Sequence, residues 1–151
     1  DLAGTITEAT TLLSMSNLPV EVVREGTFRL GKAYVETGEM DLAFETLESV
    51  ASDVKNAEGA EAKYLRADIL FRKGNVAEAE KEVLNFLELG TSHRYWLARA
   101  YILWSDIFVT KEDLFQARAT LEILKETYTE TDDGIITMVD EKLKLINNQE
   151  N

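Results

Sequence analysis

The sequence contains no cysteine, a single proline and a single histidine, and no apolar run approaching the roughly 20 residues of a membrane-spanning helix. Without cysteine there is no disulfide framework, thiol nucleophile or zinc–thiolate site. The one histidine, His93 in TSHRYW, cannot supply a two-histidine metal site, and the GxSxG and HExxH motifs are absent. It stands where a helix is expected to begin and is read as a surface or capping residue. No basic stretch followed by an apolar one marks a signal segment. Basic residues are also scarce. Sixteen Lys and Arg against 28 Asp and Glu leave a net charge of −12, which repels a phosphate backbone and argues against nucleic-acid or anionic-membrane binding.

What is abundant is Ala, Leu, Glu and Lys, residues that lose little rotamer freedom in a helix. With 45% hydrophobic and 29% charged residues, the composition is that of a folded all-α chain. A spaced pattern then appears. RKGNVAEAEKEVL places Gly74, Ala79 and Val83 at intervals matched by Gly38, Ala43 and Leu47 in ETGEMDLAFETL, and by Gly4, Ala9 and Leu13 near the start. TKEDLFQARATL continues it with Ala117 and Leu121, Glu112 standing where the glycine would be.

Each copy reads as two helices. After Pro19, which suits a first turn, Val23, Thr27, Leu30, Gly31 and Tyr34 share one helical face, and Gly38 ends the helix because it adopts a left-handed conformation without a Cβ clash. Leu42, Ala43, Thr46, Leu47 and Val50 form the face of a partner helix within DLAFETLESVASDV. The pattern recurs with Ala60, Tyr64, Ala67, Leu70 and Phe71 facing Val76, Ala79, Val83, Phe86 and Leu87. It returns with Trp96, Leu97, Tyr101, Trp104 and Phe108 facing Leu114, Ala117, Leu121 and Leu124. Gly31, Ala67 and Ser105 are equivalent small residues on the first helices, as are Ala43, Ala79 and Ala117 on the second, and they let helix axes approach. A last helix over 133–148, introduced by TDDG, carries Ile135, Ile136, Val139, Leu143 and Ile146 and is expected to cap the array, with NNQEN as a frayed tail.

These residues resemble the tetratricopeptide repeat, a helix-turn-helix unit of about 34 residues. The resemblance covers roughly residues 4–128 and implies a right-handed α-solenoid of antiparallel helix pairs over 1–151. Its units would be a partial repeat over 1–19, repeats over about 20–57, 58–91 and 92–130, and the capping helix. The spacing of the alanines at 9, 43, 79 and 117 exceeds the usual length in the later units, no proline closes any of them, and Glu112 would pay for the left-handed turn. YWLARAYILWSDIFVTKEDLFQARATLEIL is similar to the C-terminal repeats of large tetratricopeptide proteins of Bacteroidetes-type bacteria, which implies a bacterial envelope location. Because the chain starts at Asp1 with the first repeat lacking most of its leading helix, it is expected to be part of a longer protein.

The resemblance further implies function. Peptide contacts in the family come from five positions on the first helix of each repeat, which lines a concave surface. Carried over, they are Glu25, Phe28, Lys32, Val35 and Glu36, then Glu61, Tyr64, Asp68, Phe71 and Arg72, then Arg99, Ile102, Asp106, Val109 and Thr110. The expected partner is a protein or peptide segment, with Phe28, Tyr64 and Phe71 as anchors and no cofactor. Lys32, Arg72 and Arg99 among five acids are too few basic groups for a carboxylate clamp. The alternative is an architectural module that stacks on its own chain or self-associates through apolar residues of Ile6 to Leu13.

Other constellations are weaker. GTFRLGKA spells GxxxxGK, but Ala33 lacks the hydroxyl that a phosphate-binding loop places on magnesium, and the stretch reads as helix. Glu78 and Glu82 lie one turn apart on a solvated face, and Asp132 and Asp133 belong to no DxDxDG loop. An enzyme has no supporting arrangement.

Overall fold

The structure, a computed structural model, describes residues 1–150. These residues form nine helices and no strand: α1 (Leu2–Leu13), α2 (Val20–Thr37), α3 (Met40–Thr46), α4 (Glu48–Ala51), α5 (Ala57–Arg72), α6 (Val76–Leu89), α7 (Arg94–Thr110), α8 (Leu114–Thr127) and α9 (Ile135–Glu150). The all-α array expected from the pattern is present. Two details differ. The helix expected across DLAFETLESVASDV breaks at Leu47, although the Leu47 N–H still donates to the Ala43 carbonyl and the Ala51 N–H to that of Leu47. Leu47 is fully buried and packs onto the bare Cα of Gly31. At the other end α9 extends through residues 147–150 of the expected tail, and Asn151 lies outside the described residues.

Three inter-helix turns are built alike. At Gly38 the backbone is left-handed, φ 84°, its N–H donates to the Val35 carbonyl, and the Glu39 N–H reaches back to Tyr34. Gly74 and Asn75 repeat this against Phe71 and Leu70, and Glu112 and Asp113 against Val109 and Phe108. These paired bonds satisfy carbonyls that a helix end leaves open. Glu112 takes the same left-handed conformation, φ 61°, in spite of its Cβ.

The helices form two layers. Along the inner layer α2 touches α5, α5 touches α7, and α7 touches α9. On the outer side α6 contacts neither α3 and α4 nor α8. Layers of equal helix thickness joined only along one side must curve toward that side, so α2, α5, α7 and α9 line the concave face. Small residues set the spacing: Ala43, Ala67, Ala79, Ala117 and Ser105 are almost completely buried, as is Gly31.

The inner position has a cost that a one-sided hydrophobic pattern does not reveal. The apolar face expected for α7, from Trp96 to Phe108, is only half-buried, whereas Ala98, Ala100, Ile102, Leu103 and Ile107 are fully buried. Two clusters meet on this helix, one shared with α5 and α6, the other with α8 and α9. α7 is therefore buried on opposite sides. GTFRLGKA lies wholly within α2, so its glycines are helical rather than part of a phosphate loop. His93 immediately precedes α7, and its Nε2–H donates to the Lys55 carbonyl at 3.0 Å, tying this turn to the one before α5.

Candidate functional site: the concave face

Every neighbouring pair of inner helices is tied by one of the residues expected on this face. Lys32 Nζ on α2 pairs with Glu61 Oε2 on α5 at 2.9 Å. Arg99 on α7 donates to the Tyr64 hydroxyl on α5 at 3.1 Å and to that of Tyr95, one turn earlier, at 3.0 Å. Its guanidinium lies 4.9 Å from the Tyr64 ring centroid. Lys142 on α9 bonds both carboxylate oxygens of Asp106 on α7, at 2.8 and 3.0 Å. Within α5, Arg72 and Asp68 pair at 2.8 Å. Lys32, Arg72 and Arg99, the three basic groups expected on this face, are thus partnered internally.

Burial separates the expected contacts further. Tyr64 is 6% exposed, beneath Arg99 and tilted against Trp96 at 5.6 Å, and Ile102 is 4% exposed in the cluster formed with α8 and α9. Both belong to the core rather than to the surface expected for them, because the next inner helix lies over each. Removing Tyr64 would therefore destabilise the fold. Burial pushes the Tyr64 hydroxyl's pKa upward, and the Asp68 charge adds to the effect while Arg99 opposes it. Burial likewise raises the Asp106 carboxyl, Lys142 pulling the other way and Asp68 reinforcing the rise. Phe71 is half-buried against the α5–α7 core, and Arg72 is exposed.

At the first inner helix nothing comparable covers the face. Here Phe28, Lys32 and Glu36 line a cavity of about 440 Å³ together with Leu2, Ala33 and Glu58. The Lys32 ammonium sits 5.1 Å from the Phe28 ring centroid. Arg29 is occupied by Glu25, one turn away at 2.9 Å. Glu36 and Glu58 make no ion pair among the described residues. The cavity accordingly combines an aromatic ring with uncompensated negative charge. Leu2 and Glu58 escaped the sequence reading because they come from α1 and the first turn of α5. Tyr95 was within reach, since it lies four residues before Arg99 on one helix.

Around α1, Ile6, Leu12 and Leu13 are half-buried against α2. Its outward side consists of Thr7, Thr10 and Thr11, whose hydroxyls donate to carbonyls one turn earlier. Among the described residues no group of three or more His, Cys, Asp or Glu is placed to hold a metal ion, and no helix is long and apolar enough to cross a membrane.

The tetratricopeptide repeat family model matches residues 27–57, from the middle of α2 to the first residue of α5. No curated protein and no solved structure matches the chain. The matched segment contains the Gly31–Leu47 contact, the Gly38 turn and the two helices they join, and its two-helix unit is followed by α5–α6 and α7–α8 with equivalent turns and small residues. Residues 27–57 are thus similar to a tetratricopeptide repeat, a typically non-enzymatic module of protein–protein interaction, and the helix pairs that follow repeat its architecture.

Proposed function

We propose that this chain binds an extended segment of a partner protein along the concave face, and that the cavity around Phe28 receives the segment's main anchor. The observation that carries the reading is the contrast along the face: inward groups of α5 and α7 are covered or paired, while Phe28, Glu36 and Glu58 bound an open cavity with unpaired acids. An aromatic wall favours a large apolar side chain or the stem of a long one, and unpaired carboxylates favour a cation beside it. The segment it suits therefore carries Lys or Arg next to an apolar residue. The overall charge of −12 attracts such a partner before contact.

Selection from a random peptide library, with a Phe28→Ala/Glu36→Lys variant as counter-target, tests this. Expected are peptides with a basic residue adjacent to an apolar one, bound at least about tenfold more weakly by the variant, a loss of the size measured for interface anchors. Equal binding by a variant of unchanged helicity, or selected peptides without a basic residue, would remove the concave cavity as the site.

A further inference from the structure

A second cavity lies away from the concave cavity, at the edge where α2 begins and α4 ends. We propose that it binds a carboxylate carried on a small aliphatic body. It measures about 360 Å³, with Leu18, Val20, Val23 and Val50 as its apolar wall and Arg24 on its polar side.

The repeat itself shows that this cavity is a local departure. Gly31, Ala67 and Ser105 are equivalent, as are Ala43, Ala79 and Ala117, so in the α7–α8 pair the counterparts of Val23, Thr27 and Val50 are Leu97, Tyr101 and Leu124. The corresponding space there, lined by those three, is only about 130 Å³. In α5–α6 the counterpart of Val50 is Phe86, which is fully buried. Relative to α7–α8, three side chains are thus smaller in the first pair, and together they open the cavity. The fourth change is in charge. Arg24 occupies a position held by the buried alanines Ala60 and Ala98 in the other two pairs.

Arg24 is not accounted for by the fold. Its Nε is buried without a hydrogen-bond partner, and its guanidinium makes no ion pair among the described residues, in a chain with 28 acidic side chains. A buried donor left open is costly, and a guanidinium with no acidic partner among the described residues can pair with an acceptor entering the cavity that Arg24 lines. A carboxylate matches the planar fork of a guanidinium, and the valine and leucine wall matches an aliphatic body. Asp53 stands on the rim with its Oδ1 accepting from the Lys55 N–H at 3.0 Å, so its carboxylate is engaged in its own turn. Its charge weakens anion binding without filling the site.

The same chemistry belongs to a free aliphatic acid and to the C-terminal residue of a peptide. Titration of the whole chain with N-acetyl-leucine, with a short peptide ending in leucine, and with the amide of each separates them. The readout is the NMR signals of the Arg24 side-chain N–H and the Val20 and Val23 methyls. Both acids are expected to shift these signals and both amides to leave them unmoved; response to the peptide acid alone would assign the site to chain termini, and to the free acid alone to small acids. Arg24→Gln should weaken binding at least about tenfold, the scale of a lost charged hydrogen bond, and Asp53→Asn should strengthen it. A Thr27→Tyr/Val50→Leu variant, which reproduces side chains the α7–α8 pair already accommodates, should keep its helicity and lose binding. Equal binding of acids and amides, no shift at millimolar ligand, or full affinity in Arg24→Gln or in the filled variant overturns the proposal.

Discussion

Replacing Gly31 by alanine tests the contact that sets the spacing of the matched repeat. A Cβ built at Gly31 falls 2.6 Å from Leu47 Cγ and 3.5 Å from its Cδ1, far inside normal carbon contact for the former. Leu47 is fully buried at the junction of α3 and α4 and has no open space to turn into. Helix propensity alone would favour Gly31→Ala by about 1 kcal/mol, whereas overpacking a core costs about 1–3 kcal/mol, so the variant should be neutral to about 2 kcal/mol less stable. Leu47→Ala, by itself, should cost about 2–5 kcal/mol as a buried large-to-small change. In the double variant the clash is gone and the propensity gain survives, so it should be about 1 kcal/mol more stable than Leu47→Ala alone. The coupling of the two sites is then about 1–3 kcal/mol in the favourable direction, measurable by urea unfolding followed through helical circular dichroism. If Gly31→Ala stabilises the chain by its full propensity gain, or if the two changes simply add, the packing argument fails.

Three further outcomes follow from the turns and the buried charges. Glu112→Gly removes a Cβ from a left-handed residue and should raise stability by about 0.5–1 kcal/mol in the same unfolding assay. Gly59→Ala should lose more than about 3 kcal/mol or fail to fold, because its Cβ would overlap the Asp53 carbonyl oxygen and lie 2.7 Å from the carbonyl carbon, backbone that cannot rotate away. Asp106 has a folded-state pKa above its unfolded value, so its ionisation opposes folding and the opposition fades as the pH falls through the folded pKa toward the ordinary carboxylate range. Wild type should therefore gain stability relative to Asp106→Asn between neutral pH and about pH 4; a gap that widens the other way would show Lys142 outweighing burial.

The periodic elements were legible because backbone chemistry dictates them at fixed offsets. A glycine five residues before a small residue announced the turns at Gly38 and Gly74, and the equivalent place identified Glu112 as the strained member. What escaped was whatever depends on a neighbour distant in sequence. Tyr64 and Ile102 stand at positions that look outward on an isolated hairpin, but α7 and α9 lie over them. Lys142 reaches Asp106 from a helix read only as a cap. The amphipathic pattern of α7 was read as one-sided because its alanines, weak as hydrophobic signals, occupy the tightest contacts. The edge cavity was written in side-chain sizes at positions 23, 27 and 50, yet a difference in size becomes a void only when the surrounding helices decline to close it.

Helices that touch along the inner layer and stand apart along the outer one also determine how this array would flex. In a bent beam one line keeps its length while the rest stretches or shortens, and here that line runs through the contacts of α2, α5, α7 and α9. Bending is then taken up by the gaps around α6, which widen or narrow without separating packed side chains. The distance from Phe28 to Asp106 along the concave face changes little during such motion. A segment bound there as proposed would keep its register while the back of the protein moves.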